Sequence, residues 1–471
     1  MEYEEKGIPL VIRGFHKLPG WKDALFTPEW LLSNASAISV RNIHNKQDSQ
    51  MLLTEFIRRC KNISDIIPGE GERYYGKDGI CPPQWEAWLS SANVVPKHIL
   101  PFGSEDVFGL LQPQDRAETL MTYFGVGGTH TPCHKDLCAS VGQNLMVHTE
   151  NEGSAVWYMT ARDEAAAVSE YFHSLKQEID LETHVASELE LRTAPFKMYM
   201  HRQVRGDLIC VPQKSCHQAR QVINEGGISM KLSWSRMLLS SLVLAYRSEL
   251  PIYHRVCRPE VYSVKLLIHT AILSITRQLS EALAGSEGEI SPRVRSLRDI
   301  LKPLVMTYTE MIVAAWDIER KGEPETFQAA QQYRLSCDFC GADIFQSYFE
   351  CRECDEANQQ PVTICSPCYV EGRSCVCEVM EPVHVRPFKM LLEVRNTAAD
   401  LLNRCLPVKE RMPDNYSYEF VFRFPVMIPS SPKLRELESD GSPHVHQAAA
   451  ILSRSLKLHR VRFVSSHVTS C

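Results

Sequence analysis

Along the first 250 or so residues, apolar positions come in short runs separated by Gly, Pro and polar clusters. PLVIRG (Pro9–Gly14), AISVRNI (Ala37–Ile43), TLMTYFG (Thr119–Gly125), NLMVHT (Asn144–Thr149) and AVWYMT (Ala155–Thr160) are rich in β-branched, aromatic and other apolar residues. MYMHRQV (Met198–Val204), DLICVP (Asp207–Pro212) and ISMKLSWS (Ile228–Ser235) continue the series. Runs of this length and composition predict strands. RDEAAAVSEYFHSLKQEI (Arg162–Ile179) breaks the series with an acidic start and apolar residues at helical spacing, and predicts one interrupting helix. Many short strands with such punctuation predict a β-barrel or jelly roll.

After about Leu239 the period changes. VYSVKLLIHTAILSITRQLSEAL (Val261–Leu283) is an amphipathic helix, EGEISP (Glu287–Pro292) is a break, and the stretch Val294–Lys321 is a second helix with Pro303 as a candidate kink. The two predict a helical hairpin packed against the barrel. Beyond the cysteines, a helix over Leu391–Arg404 and a strand over Tyr418–Phe424 are expected. The expected domains are therefore a β-rich domain over 1–240, a helical extension over 241–330, a cysteine-rich module over 335–385 and a C-terminal region over 386–471.

Composition narrows the classes. Of 471 residues, 44% are hydrophobic and 23% charged, which excludes a wholly disordered or fibrous chain. The net charge of −6 argues against a strongly basic nucleic-acid coat. The 386–471 tail carries 13 Lys and Arg against 8 Asp and Glu, a local +5. It is a candidate for weak DNA contact beside its plainer reading as a solvated surface. The longest apolar run, Met237–Tyr246, is too short to span a bilayer, and the acidic MEYEEKG start has no apolar signal-peptide core. No membrane partner is expected, and a cytosolic or nuclear setting follows. In that setting the 17 cysteines are not expected to form disulfides.

One segment carries candidate redox-metal chemistry. GGTHTPCHKDLC (Gly127–Cys138) contains His134 and Asp136, two residues apart, and alternate residues of a strand point to one side. An H-x-D pair alone is weak evidence. A second such pair, His148 with Glu150, lacks the Gly-rich turn and the Thr131-Pro132 lead-in. A third donor is expected from a later strand, and GDLICVPQKSCHQARQV (Gly206–Val222) offers His217, 83 residues after His134. Two histidines and a carboxylate on one face of a metal ion are the ligand set of non-haem Fe(II) oxygenases.

TPCHKD, then NLMV, A-x-W and GDLICVP-x4-H, resembles the JmjC family of Fe(II)- and 2-oxoglutarate-dependent oxygenases, and GIPLVIRGF…FTPEWL is similar to the start of a JmjC region. The resemblance covers about residues 7–240. Within the family, SAVWYMTARDE, PQKSCHQ and SMKLSW are most similar to the hairless-related histone lysine demethylases. The resemblance implies a double-stranded β-helix barrel with Fe(II) held by His134, Asp136 and His217. It implies 2-oxoglutarate as cosubstrate, and Thr131 and Asn144 match family positions that contact it; Tyr123 is a further candidate donor. It also implies a methylated lysine of a histone tail as substrate, on the model of lysine nine of histone H3, and therefore chromatin and the nucleus. Demethylation would proceed by N-methyl hydroxylation with release of formaldehyde. Many members carry a lysine just before the aromatic of the next strand, but Gly153–Trp157 has none. Lys231 is then the expected cation for the distal carboxylate. Two other functions stay open: protein hydroxylation, and a catalytically weak chromatin scaffold. The β pattern starts within ten residues of Met1, which leaves room for a segment upstream.

The second constellation is C-x2-C-x10-C-x2-C-x10-C-x2-C-x6-C-x-C: Cys337, Cys340, Cys351, Cys354, Cys365, Cys368, Cys375 and Cys377, followed by His384. Paired cysteines at this spacing predict tetrahedral structural zinc, and eight donors suit two ions. The expected arrangement is a cross-brace, pairs one and three on one ion and pairs two and four on the other, similar to ZZ- and RING-like fingers. His384 is an alternative to Cys375 or Cys377. About 50 residues cannot build a core without such staples. Cys60, Cys81, Cys210 and Cys257 are expected to be core thiols, while Cys133 and Cys216 each precede a metal donor.

Overall fold

A computed structural model describes residues 2–61, 69–222, 227–285, 290–314, 335–351, 353–354, 361–377 and 379–412. They fall into two compact units, one ending at Leu244 and the other beginning at Ala245. The strand expected at Tyr418–Phe424, and the part of the second long helix beyond Ala314, lie outside the described residues.

The strands of the first unit are β1 (Leu10–Ile12), β2 (Ala37–Asn42), β3 (Asp48–Leu52), β4 (Tyr74–Ile80), β5 (Leu120–Gly125), β6 (His130–Lys135), β7 (Val141–Thr149), β8 (Ser154–Thr160), β9 (Met198–Gln203), β10 (Leu208–Val211), β11 (Cys216–Val222) and β12 (Ser229–Arg236). They build two antiparallel sheets, ordered β1-β10-β7-β12-β5-β4-β2-β3 and β6-β11-β8-β9. All eight strand runs named above form. β12 lies between β7 and β5, which explains why its residues are almost continuously buried rather than alternating.

Alternation along β7 and β10 sorts the core into two layers. Leu145, Val147 and Leu208 enter a large cluster with Phe56, Trp85, Trp88, Phe124 and Trp234. Their neighbours Met146 and Ile209 point the other way, into a cluster shared with Ala155, Trp157 and Met159 of β8 and Ala219 of β11. The two sheets thus bury a common apolar layer.

The expectation of a single interrupting helix needs correction. Helices also form at Pro28–Asn34, Leu53–Lys61, Pro83–Ser91 and Glu188–Thr193. Leu53, Phe56, Ile57 and Cys60 are buried at one-turn spacing, and Thr27 caps the first of these helices by accepting from the Trp30 amide at 3.1 Å. The predicted helix itself is shorter, Ala165–Ser174, and Lys176 just after it takes a left-handed φ of 58°.

The second unit holds long helices at Val264–Ala284, Pro292–Ala314 and Phe388–Cys405, each in contact with the other two. The expected hairpin therefore forms with a third helix, from the tail, against it. The Pro292–Ala314 helix runs on through Pro303. The cysteine-rich segment adds β13 (Ser347–Cys351), β14 (Val362–Cys365) and β15 (Glu381–His384), an antiparallel sheet ordered β14-β13-β15. Phe349 stacks on Tyr369 at 3.7 Å beside it. Among the described residues, no helix is long and apolar enough to cross a membrane.

Candidate functional site

His134 on β6 and His217 on β11 are direct partners in the sheet, and β11 is irregular between His217 and Ala219. Their ring centroids lie 4.2 Å apart. Asp136 follows the last residue of β6, and its carboxylate lies 3.8 Å from His217 Nε2. One donor atom from each of the three falls within 4.8 Å of the others, so the group could hold a metal ion.

Local hydrogen bonds orient the rings. His134 Nδ1 faces the Pro132 carbonyl at 2.8 Å and His217 Nδ1 faces the Ser215 carbonyl at 3.1 Å. Each Nδ1 must donate there, which leaves each Nε2 lone pair for a metal. Burial, reinforced by His134, holds the His217 imidazole well below its ordinary pKa and so in the neutral, ligating form. His148, the rival sequence pair, joins no donor group among the described residues; its partner Glu150 accepts from the Ile228 amide at 2.9 Å.

The supports of the site come from distant parts of the chain. Lys135, between two donors in sequence, points away and pairs with buried Asp180 at 3.0 Å. Gln218, next to His217, exchanges two hydrogen bonds with the backbone of Ala186 at 3.0 and 2.9 Å. The Ser215 hydroxyl donates to the Thr160 carbonyl at 2.7 Å, and the Thr160 hydroxyl accepts from the Cys216 amide at 3.1 Å. Gly142 leaves room for the acid: a Cβ there would stand 2.4 Å from Asp136 Oδ2. Gly142→Ala is therefore expected to displace the carboxylate. Metal affinity should fall about 10- to 100-fold, for a stability cost of about 1–3 kcal/mol. Metal titration and a thermal melt of the variant check this; unchanged affinity would remove Asp136 from the donor set.

The residues expected to hold a cosubstrate meet different fates. Lys231 on β12 sits opposite Tyr123 on β5 and Met146 on β7. It is 2% exposed, with Nζ 5.5 Å from the centre of the Trp157 ring, and Trp157 in turn stacks on His217 with ring centroids 5.9 Å apart. Burial pulls the Lys231 ammonium down to about 7. Lys231 is thus a core residue rather than one on an exposed strand face. The Thr131 hydroxyl lies 3.4 Å from the hydroxyl of buried Tyr75. Tyr123 donates to Asp78 at 2.7 Å and stacks on Tyr75. Asn144 accepts from the Gln203 amide at 3.2 Å through its side chain and at 2.9 Å through its carbonyl, while Gln203 in turn accepts from Trp157 Nε1 at 2.8 Å. Sequence reasoning missed Tyr75, Asp78 and Gln203. Tyr75 and Asp78 lie on the Gly-rich strand β4 and Gln203 ends β9, and no local spacing marks them.

In the second unit, Cys351, Cys354, Cys375 and Cys377 form one compact donor group, with Cys354 and Cys377 sulfurs 3.4 Å apart. Cys340 and Cys365 sulfurs are 3.6 Å apart in a second group that also holds Cys368. Cys337 lies beside Cys340 and Cys365, whose thiols draw its own far below the usual range. Edges near 3.8 Å are what a tetrahedron with Zn–S of about 2.3 Å requires. Both groups could hold zinc: pairs two and four share one group as expected, while pair three shares the other with Cys340 of pair one. His384 pairs its backbone with Ser347, and its side chain lies outside the described part of the structure. The group around Cys340 instead includes His254, a residue not anticipated.

The remaining cysteines divide. Burial pushes the thiols of Cys60, Cys81 and Cys210 up to about 12, which marks inert core groups. Cys133 is raised in the same way. Cys257, expected in the core, is exposed.

No protein-family model matches the sequence. Over 392 residues, 79% of the chain, it is 28% identical to C-module-binding factor A of Dictyostelium discoideum. The chain spans 38% of that relative's length.

Proposed function

We propose that the first unit is a JmjC-type oxygenase that uses Fe(II) and 2-oxoglutarate to demethylate a lysine of a histone tail in the nucleus. The observation that carries the reading is the His134, Asp136 and His217 group, with both histidines anchored through Nδ1 and a buried cation, Lys231, behind Trp157. The two antiparallel sheets with donors on adjacent strands β6 and β11 favour the double-stranded β-helix implied by the sequence motifs.

His134, Asp136 and His217 would hold Fe(II) on one face. With 2-oxoglutarate, the bound metal supplies O₂ activation and hydroxylation of a C–H bond, with succinate and CO₂ as coproducts. The chain's own work is positioning. The Pro132 and Ser215 carbonyls fix the imidazole tautomers. Lys231 would pair with the distal carboxylate of the cosubstrate, with Thr131 as a nearby hydroxyl. The apolar layer of Met146, Trp157 and Met159 keeps bulk water from the reacting groups. Hydroxylation of an N-methyl group would release formaldehyde. The preference for lysine nine of histone H3 rests on the sequence motifs alone.

The test is succinate formation from 2-oxoglutarate with Fe(II) and ascorbate, wild type against His134→Ala. Turnover that falls at least about 1,000-fold in the variant is expected, with formaldehyde when methylated histone peptides are supplied. A product gaining one oxygen, without formaldehyde, would favour a protein hydroxylase. No turnover from folded, iron-loaded wild type would leave a binding scaffold. Two observations favour that second reading: Tyr123 and Asn144 are committed to Asp78 and Gln203, and the similar Dictyostelium protein is named as a binding factor.

A further inference from the structure

Five donors crowd the first zinc position, and a closed structural site takes four. Cys340, Cys365, Cys368 and His254 form the group whose donor atoms all lie within 4.8 Å of one another. His254 comes from the helix Leu250–Val256, more than 80 residues before the first cysteine of the module. Its Nδ1 lies 4.0 Å from Cys368 Sγ. A tetrahedral zinc with Zn–N about 2.0 Å and Zn–S about 2.3 Å needs an N···S edge of about 3.5 Å, a small adjustment away.

The other face of the ring is already arranged. His254 Nε2 meets Glu371 at 2.8 Å. A carboxylate on the far nitrogen fixes the tautomer that presents Nδ1 and makes that nitrogen a better donor. The chain just past the helix is also clasped to the first cysteine knuckle. The Glu260 amide donates to the Gly341 carbonyl at 2.9 Å, Ser263 donates to Asp343 at 3.0 Å, and Lys265 donates to the Asp343 carbonyl at 2.8 Å. Gly341 has a φ of +68°, and a Cβ there would come 2.7 Å from Pro259 Cα. The histidine is thus held at the site by contacts independent of any metal.

From this geometry we infer that His254 is a ligand of the first zinc ion, with Glu371 as its orienting carboxylate and Cys337 as the displaced fifth donor. The ion then ties the Leu250–Val256 helix to the cysteine module, so the module includes a helix that its cysteine spacing does not reveal. The inference rests on the zinc reading of the module.

The test is zinc content and zinc-edge X-ray absorption on the full chain carrying His134→Ala, so that zinc at the first-unit site cannot supply an imidazole signal. Two zinc ions per chain, sharing seven sulfur ligands and one imidazole, are expected. Cys337→Ser should keep both ions and the same spectrum. His254→Gln should lose the imidazole signal and release one ion to a chelator at least about 10-fold faster, and the milder Glu371→Gln should keep the signal but release that ion faster. Two ions in an all-sulfur environment, with Cys337→Ser losing one and His254→Gln unchanged, would overturn the inference and leave the zinc reading standing. A folded chain that binds no zinc would overturn both.

Discussion

Lys231→Met is expected to abolish 2-oxoglutarate binding while leaving the fold as stable as wild type or more so. The lysine occupies a central strand and is 2% exposed, and burial lowers its pKa to about 7. The sign of the linkage follows. The folded-state pKa lies below the ordinary 10.5, so the unfolded chain binds the extra proton between about pH 7 and 10.5. The ammonium's destabilising contribution is full below about 7 and is relieved as pH rises to 10.5. Methionine removes that cost, so the melting temperature of the variant should exceed that of wild type most clearly below pH 7. The cosubstrate carboxylate would reverse the balance by giving the ammonium a partner. Binding to wild type at pH 8 should then take up close to one proton, measurable by calorimetry in buffers of different ionisation enthalpy. Loss of one partner of a buried, hydrogen-bonded charge pair costs about 2–5 kcal/mol, which is about 30- to 5,000-fold in Kd. A variant that binds 2-oxoglutarate as wild type does, with the same proton uptake, would remove Lys231 from the site.

The larger stability effect belongs to the cysteine module. Stripping zinc with a chelator is expected to unfold the segment from Cys337 to His384. Its buried cluster consists mainly of cysteines, Cys337, Cys340, Cys365 and Cys368 with Ile364, most of them metal donors themselves. Phe349 is the one fully buried aromatic of its second cluster. Two short strands pair with β13, which is too little burial to offset the ordering entropy unaided. Structural zinc contributes about 10–16 kcal/mol to such modules near pH 7, so its loss should be decisive. Cys351→Ser is expected to leave one ion per chain and to lose the protection of β13 and β15 against amide exchange. Unchanged exchange in zinc-free protein would show that the module is held by its core instead.

Legibility differed between elements for reasons that can be named. The strand runs were visible because a strand's own residues carry its period. The helices at Leu53–Lys61 and Pro83–Ser91 carry buried stripes, Leu53-Phe56-Ile57-Cys60 and Trp85-Trp88-Leu89, that the sequence pattern alone does not single out. Neither stripe spans more than about two turns, and a run that short reads equally well as strand or loop. Strands β3 and β4 were missed because they are polar or Gly-rich, DSQML and YYGKDGI, and are held by pairing on β2 and β5 rather than by apolar faces of their own.

The same divide runs through the sites. His134, Asp136, His217 and the eight cysteines were found in the chain because their chemistry demands fixed residue types at short spacings. The cross-brace pairing followed from that spacing as well. By contrast, the commitments of Tyr123 to Asp78 and of Asn144 to Gln203, the isolation of Lys231 beneath Trp157, and the presence of His254 beside Cys368 depend on contacts between residues 45 to 114 positions apart. Nothing local encodes such contacts: a hydrogen bond's strength depends on what else is excluded from its neighbourhood, and that exclusion exists only once the sheets and helices have packed. The sequence by itself determined which atoms were available as ligands, and the tertiary structure decided which of them meet.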